Sequence, residues 1–191
     1  MAESKNLLES FRLYFLVRPA VSSTDRDETF RIRYRVYCEE FGYEPAERFS
    51  NRMETDEFDH TATHCLISHV HTGMAAACVR ICPASVDGAS RALPLDKYSA
   101  DSLDPDAMAE VTASRDLICE ASRFAVDGVL RRRSGEAATR FGEIASLDLS
   151  EREKRTFPLL SVALMLAGSA MAELLGAGTC SRLWSLFSRA Y

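Results

Sequence analysis

The apolar and polar positions divide the chain into short alternating runs and longer helical ones. Phe11, Leu13, Phe15 and Val17 alternate with Arg12, Tyr14 and Leu16, which predicts a first strand ended by Pro19. Thr24, with Asp27 in the turn that follows, predicts a helix start. Phe30, Tyr34, Tyr37 and Phe41 then recur at spacings of four, three and four, so they share one helix face. Arg33 falls about 40° from Tyr37 at roughly 100° per residue, on the edge of that face. Arg31 and Arg35 are expected to point to solvent, and Gly42 to end the helix. Cys65–Val70 and Met74–Cys82 read as two strands joined through His71, Thr72 and Gly73, a hairpin.

Residues 83–116 hold Pro83, Pro94 and Pro105, many Asp and Ser, and little periodicity. They read as a functional loop or lid with a short helix at Asp106–Thr112. Leu117–Val126 reads as a buried strand carrying Glu120 and Arg123, followed by a basic turn at Arg131–Arg133. Thr156 or Ser150 starts an apolar helix running to about Leu175. Pro158 fits its first turn, which favours Thr156 as the cap. From Phe157 to Ala172 there are 16 residues without a charge, short of the roughly 20 that cross a bilayer, so the expectation is a helix buried on a sheet. The order strand, helix, hairpin, long loop, strand, helix predicts one α/β (α+β) sandwich domain over residues 1–191 with a mostly antiparallel mixed sheet.

Composition narrows the function. The 191 residues suffice for one full core, and 47% apolar with 27% charged residues is ordinary for a globular chain. A net charge of −5 argues against nucleic-acid binding, which usually needs a basic face. The six cysteines include no C-x-x-C pair and lie mostly in apolar runs, as reduced thiols of a cytoplasmic protein do. The N-terminal stretch has an acid before its lysine and no long apolar core, so it makes a poor signal peptide.

The chemistry-bearing residues gather between Arg31 and His60, where Glu54, Asp56, Glu57 and Asp59 follow an arginine-rich aromatic helix. Arg33, Tyr37 and Tyr43, then Glu54, Asp56 and Asp59, then Arg80, then Glu120 and Arg123 are three arginines and several acids on separate elements. Meeting in one site, the arginines would hold the acids ionised, and a spare carboxylate could bind an amine or take its proton. On charge alone, a surface loop of solvated acids with unrelated exposed arginines is an equal reading.

The phrases RIRYRVYCEEFGYE, METDEFDH, the hairpin ending in Val79-Arg80, LPLDKY at Leu93–Tyr98 and CEASRFAV at Cys119–Val126 lift the first reading. Over roughly residues 24–126 their order and spacing resemble the acyl-homoserine-lactone (autoinducer) synthases and their relatives, the N-acyl amino acid synthases of the GNAT superfamily. The wording is closer still to the acyltransferases associated with the PEP-CTERM/exosortase system. The resemblance implies a GNAT-like α-β-α sandwich and no bound cofactor. It also implies transfer of a fatty acyl group from acyl carrier protein, or from coenzyme A, to the amine of an amino acid or similar small molecule. It assigns Glu120 and Arg123 as catalytic, Glu120 as the base acting directly or through a water. It assigns Arg33, Tyr37, Tyr43, Asp56, Asp59 and Arg80 to substrate binding. Autoinducer synthases usually carry Phe and Trp where this chain has Tyr37 and Tyr43, which favours the N-acyl amino acid branch. The Q/R-x-x-G-x-G/A loop of coenzyme A-dependent relatives is missing, which favours the carrier-protein donor. In a flat strand Glu120 and Arg123 face opposite sides, so sharing a site requires a bulge, and GNAT sheets are known for one near there. An autoinducer synthase using S-adenosylmethionine and a non-catalytic acyl-binding or regulatory module are the alternatives.

Other signals are weaker. His69 and His71 share a strand face, but no acid or cysteine set of sound spacing joins them, so the expectation is no metal. Arg131–Arg133 with Lys154 and Arg155 could dock an acidic carrier protein, or form a solvated turn. Cys119 has no nearby histidine in sequence and is not expected to be a catalytic thiol. No stable membrane insertion is expected. After Gly178 the chain reads TCSRLWSLFSRAY, where the resembled proteins continue with strands that close the acyl pocket. Residues 179–191 are therefore expected to be a shifted reading frame on a truncated domain.

Overall fold

A computed structural model describes residues 7–99, 109, 115–131 and 149–176. The chain enters as helix α1, Leu7–Tyr14, and turns directly into strand β1, Phe15–Pro19. The alternation read at residues 11–17 as one strand therefore spans two elements. Leu7, Phe11 and Tyr14 also recur at helical spacing, and period alone does not separate the two over so few residues. Phe11 and Phe15, their rings 5.1 Å apart, stack across the junction.

Helix α2, Ser23–Arg33, starts two residues earlier than Thr24 predicts. Ser22 is the cap, its Oγ accepting from the Asp25 N–H at 3.0 Å. The helix continues through Tyr34–Glu40 in wider π-helical turns, with the Phe41 N–H reaching back to the Val36 carbonyl at 3.1 Å. Gly42, at φ +65°, leaves the helix in the left-handed conformation that glycine tolerates. The rewinding changes which side chains face inward. Ile32, Arg33, Tyr34, Val36 and Cys38 are buried, while Phe41 is exposed. Arg33 thus sits at the centre of the buried face and not at its edge.

The hairpin forms as predicted: β2, Thr63–His69, pairs antiparallel with β3, Ala75–Pro83, around Gly73 at φ +69°. The long segment after it is more structured than its composition indicates. It holds a small hairpin, β4 (Ser85–Val86) with β5 (Ala89–Ser90), and a short helix α3, Pro94–Tyr98. The helix expected at Asp106–Thr112 lies outside the described residues. Strand β6, Cys119–Val126, is half-buried, and Leu117 is exposed in the turn before it. Short helix α4, Gly128–Arg131, follows. Ser150, not Thr156, caps the next helix, α5, Glu151–Lys154. The Thr156 hydroxyl donates back to the Glu153 carbonyl at 2.6 Å, and helix α6 runs Leu159–Leu174 after Pro158.

The sheet order is β1-β2-β3-β6, and every pairing among these strands is antiparallel. Its two faces bury different sets. On one, α1 and α6 cover Phe15, Cys65, Ile67, Val79 and Ile81, with Leu160, Leu164 and Met171 as the inward stripe of α6. On the other, Ile32 and Val36 from the α2 segment cover Leu66, Cys78 and Ala125. This is the expected α/β architecture with an antiparallel sheet of four strands. Among the described residues no helix is long and apolar enough to cross a membrane. Residues 179–191 lie outside the described residues.

Candidate functional site

The α2 face of the sheet carries, beside its apolar cluster, a group of buried charges. Arg33 is 0% exposed. Its Nε donates to Glu54 Oε2, and Nη1 and Nη2 donate to the two Asp59 oxygens at 2.7 and 3.1 Å. This forked pairing uses the planar geometry that lysine lacks. The loop that delivers the acids is tied to the helix, since the Glu54 N–H donates to the Phe30 carbonyl at 3.1 Å.

The D-E-F-D phrase explains its own spacing. Asp56 caps a single 3-10 turn, Glu57–His60, accepting the Phe58 N–H at 2.9 Å, and Asp59 returns the favour by accepting the Asp56 N–H at 2.8 Å. Two acids three apart thus form a reciprocal capping box, which holds both carboxylates rigid and leaves oxygens free for arginine. Arg80, in the middle of β3, supplies the second guanidinium. Its Nη1 reaches Asp56 Oδ1 at 2.5 Å and Asp59 Oδ1 at 2.9 Å, and its Nε donates to Ser122 Oγ at 3.1 Å.

The third guanidinium depends on a bulge. Between Cys78 and Arg80 the β3–β6 register shifts, so Val79 opposes two residues, Arg123 and Phe124, and Arg123 takes φ +53°. The shift inverts the strand's parity. Before it, Cys119 and Ala121 pack toward α6; after it, Phe124 and Val126 do, and Ala125 faces α2. Glu120, Ser122 and Arg123 therefore lie on one face, as the sequence reading required. Arg123 Nη2 lies 3.1–3.2 Å from carboxylate oxygens of Glu44, Glu54 and Asp56. Tyr37 braces the bulge: its hydroxyl donates to the Phe124 carbonyl at 2.7 Å and its ring lies under the Arg123 guanidinium, 5.4 Å away.

Three guanidinium groups thus face four carboxylates (Glu44, Glu54, Asp56, Asp59). Burial alone would raise the Asp59 carboxyl, but the Arg33 hydrogen bonds and the Arg33 and Arg80 charges outweigh it and hold it at about 2. Burial likewise opposes the Arg33 charge, and the hydrogen bonds to Asp59 and Glu54 raise its pKa above the ordinary arginine value all the same. Two buried nitrogens find no hydrogen-bond partner among the described residues, Arg123 Nε and His64 Nε2. His64, opposite Arg80 in the β2–β3 register, is pushed down to about 4, chiefly by burial, and stays neutral.

Glu120 is set apart from this cluster. Its Oε2 accepts the Leu95 N–H at 2.8 Å, where the LPLDKY phrase begins α3. Burial pushes its carboxyl up, more than that hydrogen bond and the Arg80 charge pull it down. A half-buried carboxylate of raised proton affinity can accept a proton from a bound amine.

The structure therefore brings together Arg33, Tyr37, Asp56, Asp59, Arg80 and Arg123, and sets Glu120 on the same sheet face outside their ion-pair network. Tyr43 is 71% exposed, stacked on Phe41 with rings 5.2 Å apart, and reaches the site only through its neighbour Tyr37, ring to ring 6.3 Å. Sequence reasoning passed over His64, Ser122 and Glu44 as site members. Counting the hairpin back from Gly73 could have placed His64 near Arg80, had the irregularity at Ile67/Ser68 been visible. Of the basic docking set, Arg131 pairs with Glu40 at 2.5 Å over the Phe41 ring and Lys154 pairs with Glu151 at 2.8 Å. Arg132 and Arg133 lie outside the described residues.

Residues 32–140 match the family model of the acetyltransferase (GNAT) domain, a stretch that holds every member of the cluster and more than half of the 191 residues. Comparisons with curated proteins and with solved structures found no match.

Proposed function

This chain belongs to the acetyltransferase (GNAT) domain family, which transfers acyl groups, and from that premise we propose that it moves a fatty acyl group from acyl carrier protein to the amine of an amino acid or a similar small molecule. The observation that carries the reading is the bulge at Arg123. It sets Glu120, Ser122 and Arg123 on one face beside a rigid arginine–carboxylate wall.

In this reading the amine loses its proton to Glu120 and attacks the thioester carbonyl. The C–N bond forms, the C–S bond breaks, and the thiol leaves with a proton. A bulge leaves a strand residue out of the ladder, and a backbone N–H released in this way suits a developing oxyanion. Arg123, with its unpartnered Nε–H, offers a donor to the carboxylate of an amino-acid acceptor. Asp56 and Asp59, their oxygens committed to Arg33 and Arg80, act as the frame of the amine pocket more than as direct ligands. The resemblance to the PEP-CTERM/exosortase-associated acyltransferases, and the missing glycine-rich pyrophosphate loop, favour the carrier-protein donor over coenzyme A.

The test is product mass spectrometry with purified chain, acyl-loaded carrier protein or acyl coenzyme A, and pooled amino acids with S-adenosylmethionine. An N-acyl amino acid formed from the carrier-protein donor is the expected product, and Glu120→Gln should lower its rate by about 100-fold or more with folding intact. An acyl homoserine lactone would replace this reading with an autoinducer synthase. No acyl product from either donor would leave a non-catalytic acyl-binding module.

A further inference from the structure

On the opposite side of the sheet from the arginine cluster, three side chains from two distant parts of the chain converge. His69 ends β2, His71 follows in the hairpin turn, and Glu153 comes from α5, 84 residues beyond His69. One ligand atom from each lies within 4.8 Å of the others. The acid that the histidines lack in sequence is supplied by the fold.

We propose that His69, His71 and Glu153 form a binding site for a divalent transition metal of the zinc type. Two imidazoles and one carboxylate are a recurrent zinc set, with a further position left to water. Tetrahedral coordination with bonds of about 2.0–2.1 Å places ligand atoms about 3.3 Å apart. His69 Nε2 and Glu153 Oε1 now lie at 2.5 Å, so the metal enters by parting them slightly and drawing His71 in.

The supporting contacts are those a metal site requires. With His69 Nε2 on the metal, Nδ1 must carry the proton, and Thr72 Oγ1 lies 2.8 Å from it to accept. Glu153 Oε2 is held by the Ser150 N–H at 3.2 Å and the Ser150 hydroxyl at 3.3 Å, leaving Oε1 aimed at His69. The turn is rigid: the His69 N–H donates to the Met74 carbonyl at 2.8 Å, the Gly73 N–H to the His69 carbonyl at 2.9 Å, and the Val70 N–H to the Tyr14 carbonyl at 2.8 Å. His71 makes no hydrogen bond or ion pair among the described residues, only ring contacts with Tyr14 and His69 at 5.9 and 5.7 Å. A buried His–Glu pair alone would need no second imidazole beside it. His71 is exposed, which gives the metal its route in and its open face.

Tag-free, reduced, EDTA-stripped full chain is titrated with Zn²⁺ by calorimetry, and Co²⁺ is added in parallel for visible spectroscopy. One equivalent of Zn²⁺ should bind and raise the melting temperature, and Co²⁺ should show nitrogen/oxygen ligation with no thiolate charge-transfer band. His71→Ala removes an exposed ligand without touching the core and should weaken Zn²⁺ by about 100-fold or more. Thr72→Val, which loses only the supporting hydroxyl, should weaken it by about 10–100-fold. Equal affinity in wild type and His71→Ala, no Zn²⁺ uptake by wild type, or a thiolate band would each overturn the proposal. Acyl-transfer activity does not enter the test.

Discussion

Asp59 shows how far a residue's role exceeds its charge. In sequence it is one acid among four; in the fold it closes a capping box and receives two arginines. Removing one partner from a buried ionic group leaves the others uncompensated, so Asp59→Asn should cost about 3–5 kcal/mol in urea unfolding at neutral pH. The sign with pH follows from its depressed carboxyl. Its contribution is present above the unfolded value of 3.8 and is lost as pH falls through about 2. The gap between wild type and Asp59→Asn should therefore close across that window. Glu120 has the opposite shift, and its ionised form is the one that accepts a proton. An acid limb in kcat/KM should lie above the ordinary glutamate value of 4.5, and Glu120→Asp should move that limb without abolishing it. A limb unmoved by Glu120→Asp would remove Glu120 from the base role.

Two departures from regular geometry govern the elements around the site. The π-helical turns at Tyr34–Glu40 bring Tyr37 to the bulge, and the bulge brings Arg123 to the acids. A non-glycine residue held at φ +53° costs about 1–2 kcal/mol of backbone strain. Arg123→Gly and Arg123→Ala both remove the guanidinium, but only glycine relieves the strain. Chemical denaturation should show Arg123→Gly more stable than Arg123→Ala by about 1 kcal/mol, and equal losses would mean that position 123 is relaxed in solution. The extra residue in β6 shows in sequence only as the doubled polar pair Ser122-Arg123, and the wider helical turn leaves no mark in the apolar pattern. Both are settled by what neighbouring strands and side chains demand.

Across the described residues, the sheet separates an apolar, supporting face under α1 and α6 from the face under α2 that carries the arginine–carboxylate cluster. Leu164→Ala, in the centre of the supporting face, should lower stability by about 2–5 kcal/mol. It should leave kcat/KM per folded molecule unchanged, and a matching fall in kcat/KM would show the two faces to be coupled. The same division marks what the chain's sequence determines by itself. Alternation, turn glycines and helical spacing are local signals, and they suffice for the β2–β3 hairpin, the α2 segment with Gly42 behind it, the buried helix α6 and the antiparallel α/β class. The phrases at residues 31–60 and 119–126, with the strand ending in Val79-Arg80, are enough to nominate Arg33, Arg80, Arg123, Asp56, Asp59 and Glu120. Tertiary structure decided the rest, because it depends on contacts between positions far apart in the chain. It alone made Arg33 central, turned Arg123 to the side of Glu120, admitted His64, left Tyr43 at the surface, and brought Glu153 to the histidines from 84 residues away. Such pairings rest on register and packing, and a one-residue shift in register reverses every side chain that follows it.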